Sequence, residues 1–258
     1  MVTEGQLLWQ ASGARKAGLN LTAFIAWLNA RGHDFTGYAD LYQWSISDLA
    51  GFWGAVRDYF ALILEGDAGP VLTDAPMPRT RWLPGAKLNY AEHVLRHESS
   101  GDPDRVMLHH VSELRPMAAM SWAEVGGAVR KLATRLRAMG IGPGDRVVAY
   151  MPNLPETVIA MLATTAMGAV WSSAAPEFGA QTVIDRFSQI APKLVFAVNG
   201  YRYGGKDFDR RADLDRILSA LPSVKTVVML DYLPGAEVMD SATPWDDLFT
   251  GPDIPRGA

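Results

Sequence analysis

The sequence predicts an α/β fold, a mostly parallel sheet flanked by helices, preceded by a mainly helical and irregular N-terminal appendage. Three observations carry this reading. Apolar strands alternate with helical patterns across about a hundred residues, from near Ser121 to Leu230. Two of those strands, Arg146–Met151 and Lys193–Val198, are nearly continuous apolar runs, as expected where both faces of a sheet are covered. The first ninety or so residues instead mix aromatics with turn formers and lack the alternation.

The elements follow in order. Leu19–Leu28 has helical apolar spacing and ends near Asn29, Arg31 and Gly32. Ser47 can cap a second helix over Asp48–Leu64, where Phe52, Val56, Tyr59 and Phe60 recur at helical intervals. Pro70, Pro76, Pro78 and Pro84 then impose an irregular path as far as Lys87. The aromatics of this region read as packing anchors. Val106–Val111 and Met117–Met120 are expected to pair around the turn 112–115. Ser121 and Glu124 form a capping box, and the helix after it places Val125, Val129, Leu132, Leu136 and Met139 on one stripe. Arg146–Met151, Gly168–Ser173, Lys193–Val198 and Val224–Leu230 read as strands. Glu156–Met167, Gln181–Ile190 and Phe208–Leu221 read as the helices between them.

Composition narrows the function. The 258 residues hold 24 Lys+Arg against 28 Asp+Glu, a formal net charge of -4, which offers no footprint for general nucleic-acid or anionic-membrane binding. With 48% hydrophobic and 20% charged residues the chain is globular. The absence of cysteine excludes disulfides, thiolate catalysis and cysteine metal sites, and it fits a reducing cytoplasm. The N-terminus lacks the basic start and unbroken apolar run of a signal peptide. The most apolar stretches, Thr157–Val170 and Val224–Leu230, are too short or interrupted to span a bilayer.

Few motifs carry chemistry. Gly140, Gly142 and Gly144 lie between a helix and a strand. A dinucleotide loop needs the reverse order and a wider third spacing, so they read as a helix stop. Gly200–Lys206 has GxxxxGK spacing after a strand, but Asp207 stands where a P-loop needs Ser or Thr for magnesium, and would repel a phosphate. Its residues alone leave two readings open. One is a charged surface loop. The other is a phosphate or nucleotide contact through Arg202, Lys206, the Gly204 and Gly205 amides and the tyrosine rings. His93 and His97 have zinc-ligand spacing without an internal glutamate or a third ligand, and His109 and His110 point to opposite faces of a strand. No metal site, GxSxG elbow or paired carboxylate is identified, so no catalytic residue is assigned.

The order of several segments nevertheless resembles a family. Trp44–Asp48, Phe52-Trp53 and Trp82–Asn89 are similar to the N-terminal region of acetyl-CoA and acetoacetyl-CoA synthetases. Ser121–Val125, Gly142–Val147, Met151–Glu156 and Gly168–Ser173 resemble the first α/β subdomain of the adenylate-forming superfamily. Ala175–Gly179, Asp185–Ile190 and Gly200–Lys206 are similar to the acetoacetyl-CoA synthetase branch. Ala174-Ala175 and Glu177 depart mildly from the family's pattern. On this resemblance, residues 1–92 form the N-terminal appendage and 93–258 an incomplete first α/β subdomain. The implied activity is that of an acid–thiol ligase using ATP, CoA and Mg2+ on acetoacetate or another short-chain acid, in the cytoplasm, with no nucleic acid or membrane partner. It also implies that Arg202, Lys206, Gly204 and Gly205 contact CoA. The family's phosphate-binding loop, adenine, ribose and magnesium motifs and C-terminal domain are not found, so a truncated, catalytically silent chain that exposes apolar surface, and either self-associates or is marginally stable, is expected. The alternatives are another short-chain acyl-CoA synthetase and a non-catalytic α/β binding module.

Overall fold

A computed structural model describes residues 2–254 and divides the chain into two compact units, Met1–Leu88 and Asn89–Ala258.

In the first unit, α1 (Gly13–Ala17), α2 (Asn20–Asn29), α3 (Tyr38–Ser47) and α4 (Leu49–Tyr59) precede an irregular segment. The expected single helix over 48–64 is corrected. The serine at 47 turns its hydroxyl back to the Gln43 carbonyl, while the Asp48 carboxylate accepts from the Gly51 amide and starts α4. The helix then stops at Tyr59, and Ala61 takes the left-handed region at φ 45°. Helix α3 was not anticipated at all. The aromatics pack as expected: Phe24, Leu28 and Leu41 are buried, with Phe24 4.9 Å from Tyr59 and Trp44 5.7 Å from Phe52 by ring centroids.

In the second unit, Asn89 caps α5 (Tyr90–Leu95) through two backbone amides. Strands β1 (Val106–His110) and β2 (Ala118–Ser121) pair antiparallel around the 112–115 turn. The capping box forms as its spacing requires, opening α6 (Trp122–Ala138). Then come β3 (Arg146–Tyr150), α7 (Pro155–Ala166), β4 (Val170–Ala174), α8 (Ala180–Phe187) and β5 (Leu194–Val198). Next are β6 (Gly200–Tyr203), β7 (Lys206–Asp209), α9 (Arg211–Ala220), β8 (Thr226–Leu230) and the two-residue β9 (Thr243–Pro244).

Five strands make one parallel sheet in the order β4-β3-β5-β8-β9. Alternate residues feed opposite cores, because strand side chains have a period of two. Val147, Ala149, Phe196, Val198 and Val228 face α6 and α7. Val148, Tyr150, Val195, Ala197 and Met229 face α8 and α9. All ten are fully or almost fully buried. This double coverage explains the uninterrupted apolar runs in the sequence.

One correction matters for the site. The sequence alone places residues 206–209 in a loop and at the start of a helix over 208–221. They form β7, antiparallel to β6, with Tyr201 opposite Phe208 and Arg202 opposite Asp207. Gly204 and Gly205, at φ 59° and 72°, make the two-residue turn, a conformation that glycine adopts without steric cost. The strand-loop-helix order of a P-loop is therefore not present at 200–206.

Candidate functional site

The strand order of the sheet reverses between β3 and β5. β3 leads through α7 to β4 on one side, and the chain then crosses to β5 on the other. In parallel α/β sheets, ligands settle outside the carboxyl ends of the strands flanking such a point. Here the carboxyl end of β5 runs through Asn199 directly into the β6–β7 hairpin.

Asn199 is the fixed point of this edge. It is fully buried. Its side-chain oxygen accepts from the Tyr232 and Leu233 amides at 2.9 and 2.8 Å. Its Nδ2 faces the Asp231 carboxylate at 2.7 Å and the Leu233 and Ala236 carbonyls at 3.1 and 2.5 Å. Three acceptors on one side and two donors on the other fix which way the amide points. The next residue, Gly200, has no room for a side chain: an added Cβ would lie 2.5 Å from the Phe208 carbonyl oxygen and 2.6 Å from Leu233 Cδ2. The 231–236 loop and the hairpin are thus locked to the same strand end.

The hairpin is held from two further directions. Tyr201 stacks on Phe208 at 5.1 Å, and the Arg210 guanidinium lies over both rings, at 5.2 and 5.7 Å. Arg210 also donates to the Tyr201 hydroxyl and pairs with Asp213 on α9. On another side the 112–115 turn approaches. Tyr232 donates to Ser112 Oγ at 2.7 Å, and the Leu114 and Arg115 amides donate to the same oxygen. Arg115 lies over the Tyr232 ring at 4.9 Å and pairs with Glu156 at 2.8 Å.

The four residues singled out in the sequence all lie on this hairpin, in different circumstances. Arg202 forms a two-pronged ion pair with Asp207, at 2.5 and 3.0 Å. That hydrogen bond holds the Asp207 carboxyl below its usual range. Lys206 is exposed and forms no ion pair among the described residues. Arg202 and Lys206 belong to successive cross-strand pairs, so their side chains leave opposite faces of the hairpin. The structure therefore gathers the glycine amides at the tip but does not bring the two cations onto one face. The Gly204 and Gly205 amides both donate to one carboxylate, that of Glu113, at 2.7 and 2.8 Å.

Glu113 and Asn199 were missed by sequence reasoning. A polar residue directly after the apolar run Leu194–Val198 is a signal that points to Asn199. No local signal pointed to Glu113, whose partners lie 91 and 92 residues away. The histidines are dispersed: His97 packs 5.3 Å from the Trp122 ring, and His93 on α5 has its pKa lowered mainly by burial. Among the described residues, no group of three or more His, Asp or Glu is placed to hold a metal ion. No helix among them is long and apolar enough to cross a membrane.

Comparison with known proteins adds a family. Residues 95–254 match the model of the AMP-binding enzymes, and residues 38–94 match that of the acetyl-coenzyme A synthetase N-terminus. An acetoacetyl-CoA synthetase of Gallus gallus is 35% identical over 93% of the chain and 36% of its own length. An acetoacetyl-coenzyme A synthetase of Rhizobium meliloti is 40% identical over 81% of the chain and 32% of its own length. The solved acetoacetyl-CoA synthetase from Streptomyces lividans superposes with a TM-score of 0.89 at 41% identity, covering 97% of this chain and 40% of that one. The chain thus spans about a third of the curated relatives it matches.

Proposed function

The chain belongs to the AMP-binding enzyme family, and from that premise we propose that it supplies the N-terminal scaffold of an acetoacetate–CoA ligase. The observation that carries this reading is the similarity to acetoacetyl-CoA synthetases at 35% and 40% identity over 93% and 81% of the chain. In the proposed reaction the acetoacetate carboxylate attacks the α-phosphorus of ATP, forming acetoacetyl-adenylate and expelling pyrophosphate. The CoA thiol then attacks the acyl carbon, giving acetoacetyl-CoA and AMP. A carboxylate is a poor acyl donor, and the mixed anhydride makes it a good one. Mg2+, when bound with ATP, supplies charge neutralisation at the phosphates. The described residues offer no donor set for it, so no step is assigned to residues of this chain.

What this chain's own residues do, in our reading, is present the CoA-facing hairpin. Gly204 and Gly205 supply amides, Arg202 the first cationic contact and Lys206 the second, toward phosphate oxygens of the carrier. The hairpin's fit to an anion is supported by the two tip amides, which already hold a carboxylate. The division 1–92 and 93–258 into appendage and first α/β subdomain, and a cytoplasmic setting, belong to the same proposal. So does self-association: Leu7, Leu8, Trp9 and Met77 are 72, 74, 68 and 76% exposed.

An ATP–pyrophosphate exchange assay with acetoacetate tests the division of labour. The 258-residue chain is expected to give no exchange, and exchange above background would refute the scaffold reading. Calorimetric titration with CoA tests the hairpin. Binding weakened by Arg202→Ala and, to a lesser degree, by Lys206→Ala is expected, and binding that neither substitution alters would remove the assignment.

A further inference from the structure

We propose that Glu113 is an internal surrogate anion, which occupies the Gly204–Gly205 amides and must leave before a phosphomonoester can take its place. The inference rests on the reading of the hairpin as a phosphate-contacting element and adds a control to it.

The geometry points to this role. Both carboxylate oxygens are used, one on each amide, at 2.7 and 2.8 Å. Two successive glycines in the left-handed region turn adjacent N–H groups toward one point, the arrangement that makes backbone nests bind anions. Charge-assisted bonds from amides to an oxyanion do not distinguish a carboxylate from a phosphate. On the reading of the hairpin as a phosphate-contacting element, the ligand is a phosphomonoester presented to its tip, and Glu113 is its competitor.

The carboxylate is delivered rather than adventitious. Glu113 follows Ser112, whose hydroxyl oxygen accepts from Tyr232 and from two amides of its own turn. Tyr232 in turn donates its amide to Asn199, at the end of the strand that carries the hairpin. Both the amides and the carboxylate thus hang from one anchor, Asn199, and the distance between them is set by the fold. Yet Glu113, Gly204 and Gly205 are all exposed. Water can solvate each partner when the contact opens, so exchange with a dissolved phosphate is feasible. Arg202 faces the same kind of competition, because Asp207 already occupies its guanidinium. The hairpin is self-neutralised at both positions, and an incoming phosphate exchanges with carboxylates instead of meeting free donors.

The size of the effect follows from occupancy. If the amides are free about one-tenth of the time, the apparent dissociation constant of the ligand is raised about tenfold, and removing the carboxylate recovers that factor. The test is a titration of the 15N-labelled chain with adenosine 3′,5′-bisphosphate at fixed ionic strength, following the Gly204 and Gly205 amide resonances. Glu113→Gln is expected to bind about tenfold tighter than the wild type, with saturable shifts at those two amides, and Glu113→Ala is expected to do the same. Equal or weaker binding by both variants would overturn the proposal, as would shifts confined to other residues. If Arg202→Ala weakens binding while the two Glu113 variants leave it unchanged, the hairpin is the phosphate site but Glu113 does not guard it. If neither the wild type nor the Glu113 variants bind the bisphosphate, both the guard and the hairpin reading fail.

Discussion

Replacing Asn199 by alanine is expected to destabilise the second unit by about 3 kcal/mol, and the structure gives the reason. The side chain is fully buried and satisfies the amides of Tyr232 and Leu233. Its own amide group also bridges the Asp231 carboxylate and the carbonyls of Leu233 and Ala236. Alanine removes the acceptor and leaves two backbone N–H groups unpaired, each costing about 1–3 kcal/mol when buried. Water entering the space left by the amide re-solvates part of what is unpaired and brings the total into the lower half of that summed range, about 3 kcal/mol. For a unit of this size the loss corresponds to a fall in melting temperature of roughly 6–12 °C. Thermal unfolding followed by far-ultraviolet circular dichroism reads the shift, and hydrogen exchange at Tyr232 and Leu233 reads its location. Asn199→Asp distinguishes the mechanism, because its second oxygen would face the Asp231 carboxylate and two carbonyls. It should therefore destabilise at least as much as alanine at neutral pH. A loss below about 1 kcal/mol for Asn199→Ala, or unchanged exchange at the two amides, would refute the account of this residue as the anchor of the carboxyl edge.

Two further outcomes are expected. Ser121→Ala removes the hydroxyl that accepts from the Glu124 amide in the capping box of α6, while the backbone amide at 121 can still donate to the Glu124 carboxylate; it should cost about 1 kcal/mol, read as an earlier urea midpoint with unchanged slope. Asp145 accepts from Lys193 and from the Gly142 amide at 2.9 Å each, and the Lys193 bond above all holds its carboxyl below the usual range. A carboxyl depressed in the folded state stabilises above its unfolded value near 3.9 and loses that contribution as pH falls through the folded value. The wild type should therefore lose more stability between pH 7 and pH 3 than Asp145→Asn does, in paired denaturant titrations, and equal losses would contradict the assignment.

Helix α6 was legible to its caps, because the capping box and the stripe Val125, Val129, Leu132 and Leu136 are signals within a few residues of one another, and these four are buried. Strands β3 and β5 were legible because both faces are covered, which forces apolar residues at every position. Helix α4 was misplaced at both ends. Either Ser47 or Asp48 can cap by chemistry alone, and only the folded chain shows that Asp48 does so while Ser47 bonds back to Gln43. The β6–β7 hairpin was concealed by its GxxxxGK spacing, although Gly204-Gly205 flanked by Tyr201, Tyr203 and Phe208 is a hairpin signal.

By itself the sequence determined the α/β class, the alternation of the main sheet's strands β3, β4, β5 and β8 with helices, and the family's run of motifs, because periodicity, capping and turn chemistry act between near neighbours. Only the tertiary structure decided that Arg202 is tied to Asp207, that Lys206 leaves the other face, and that Glu113 closes on the glycine amides. Those contacts depend on register and on chain crossings that bring residues some ninety positions apart within hydrogen-bond distance, and no local pattern encodes where a distant carboxylate will come to rest.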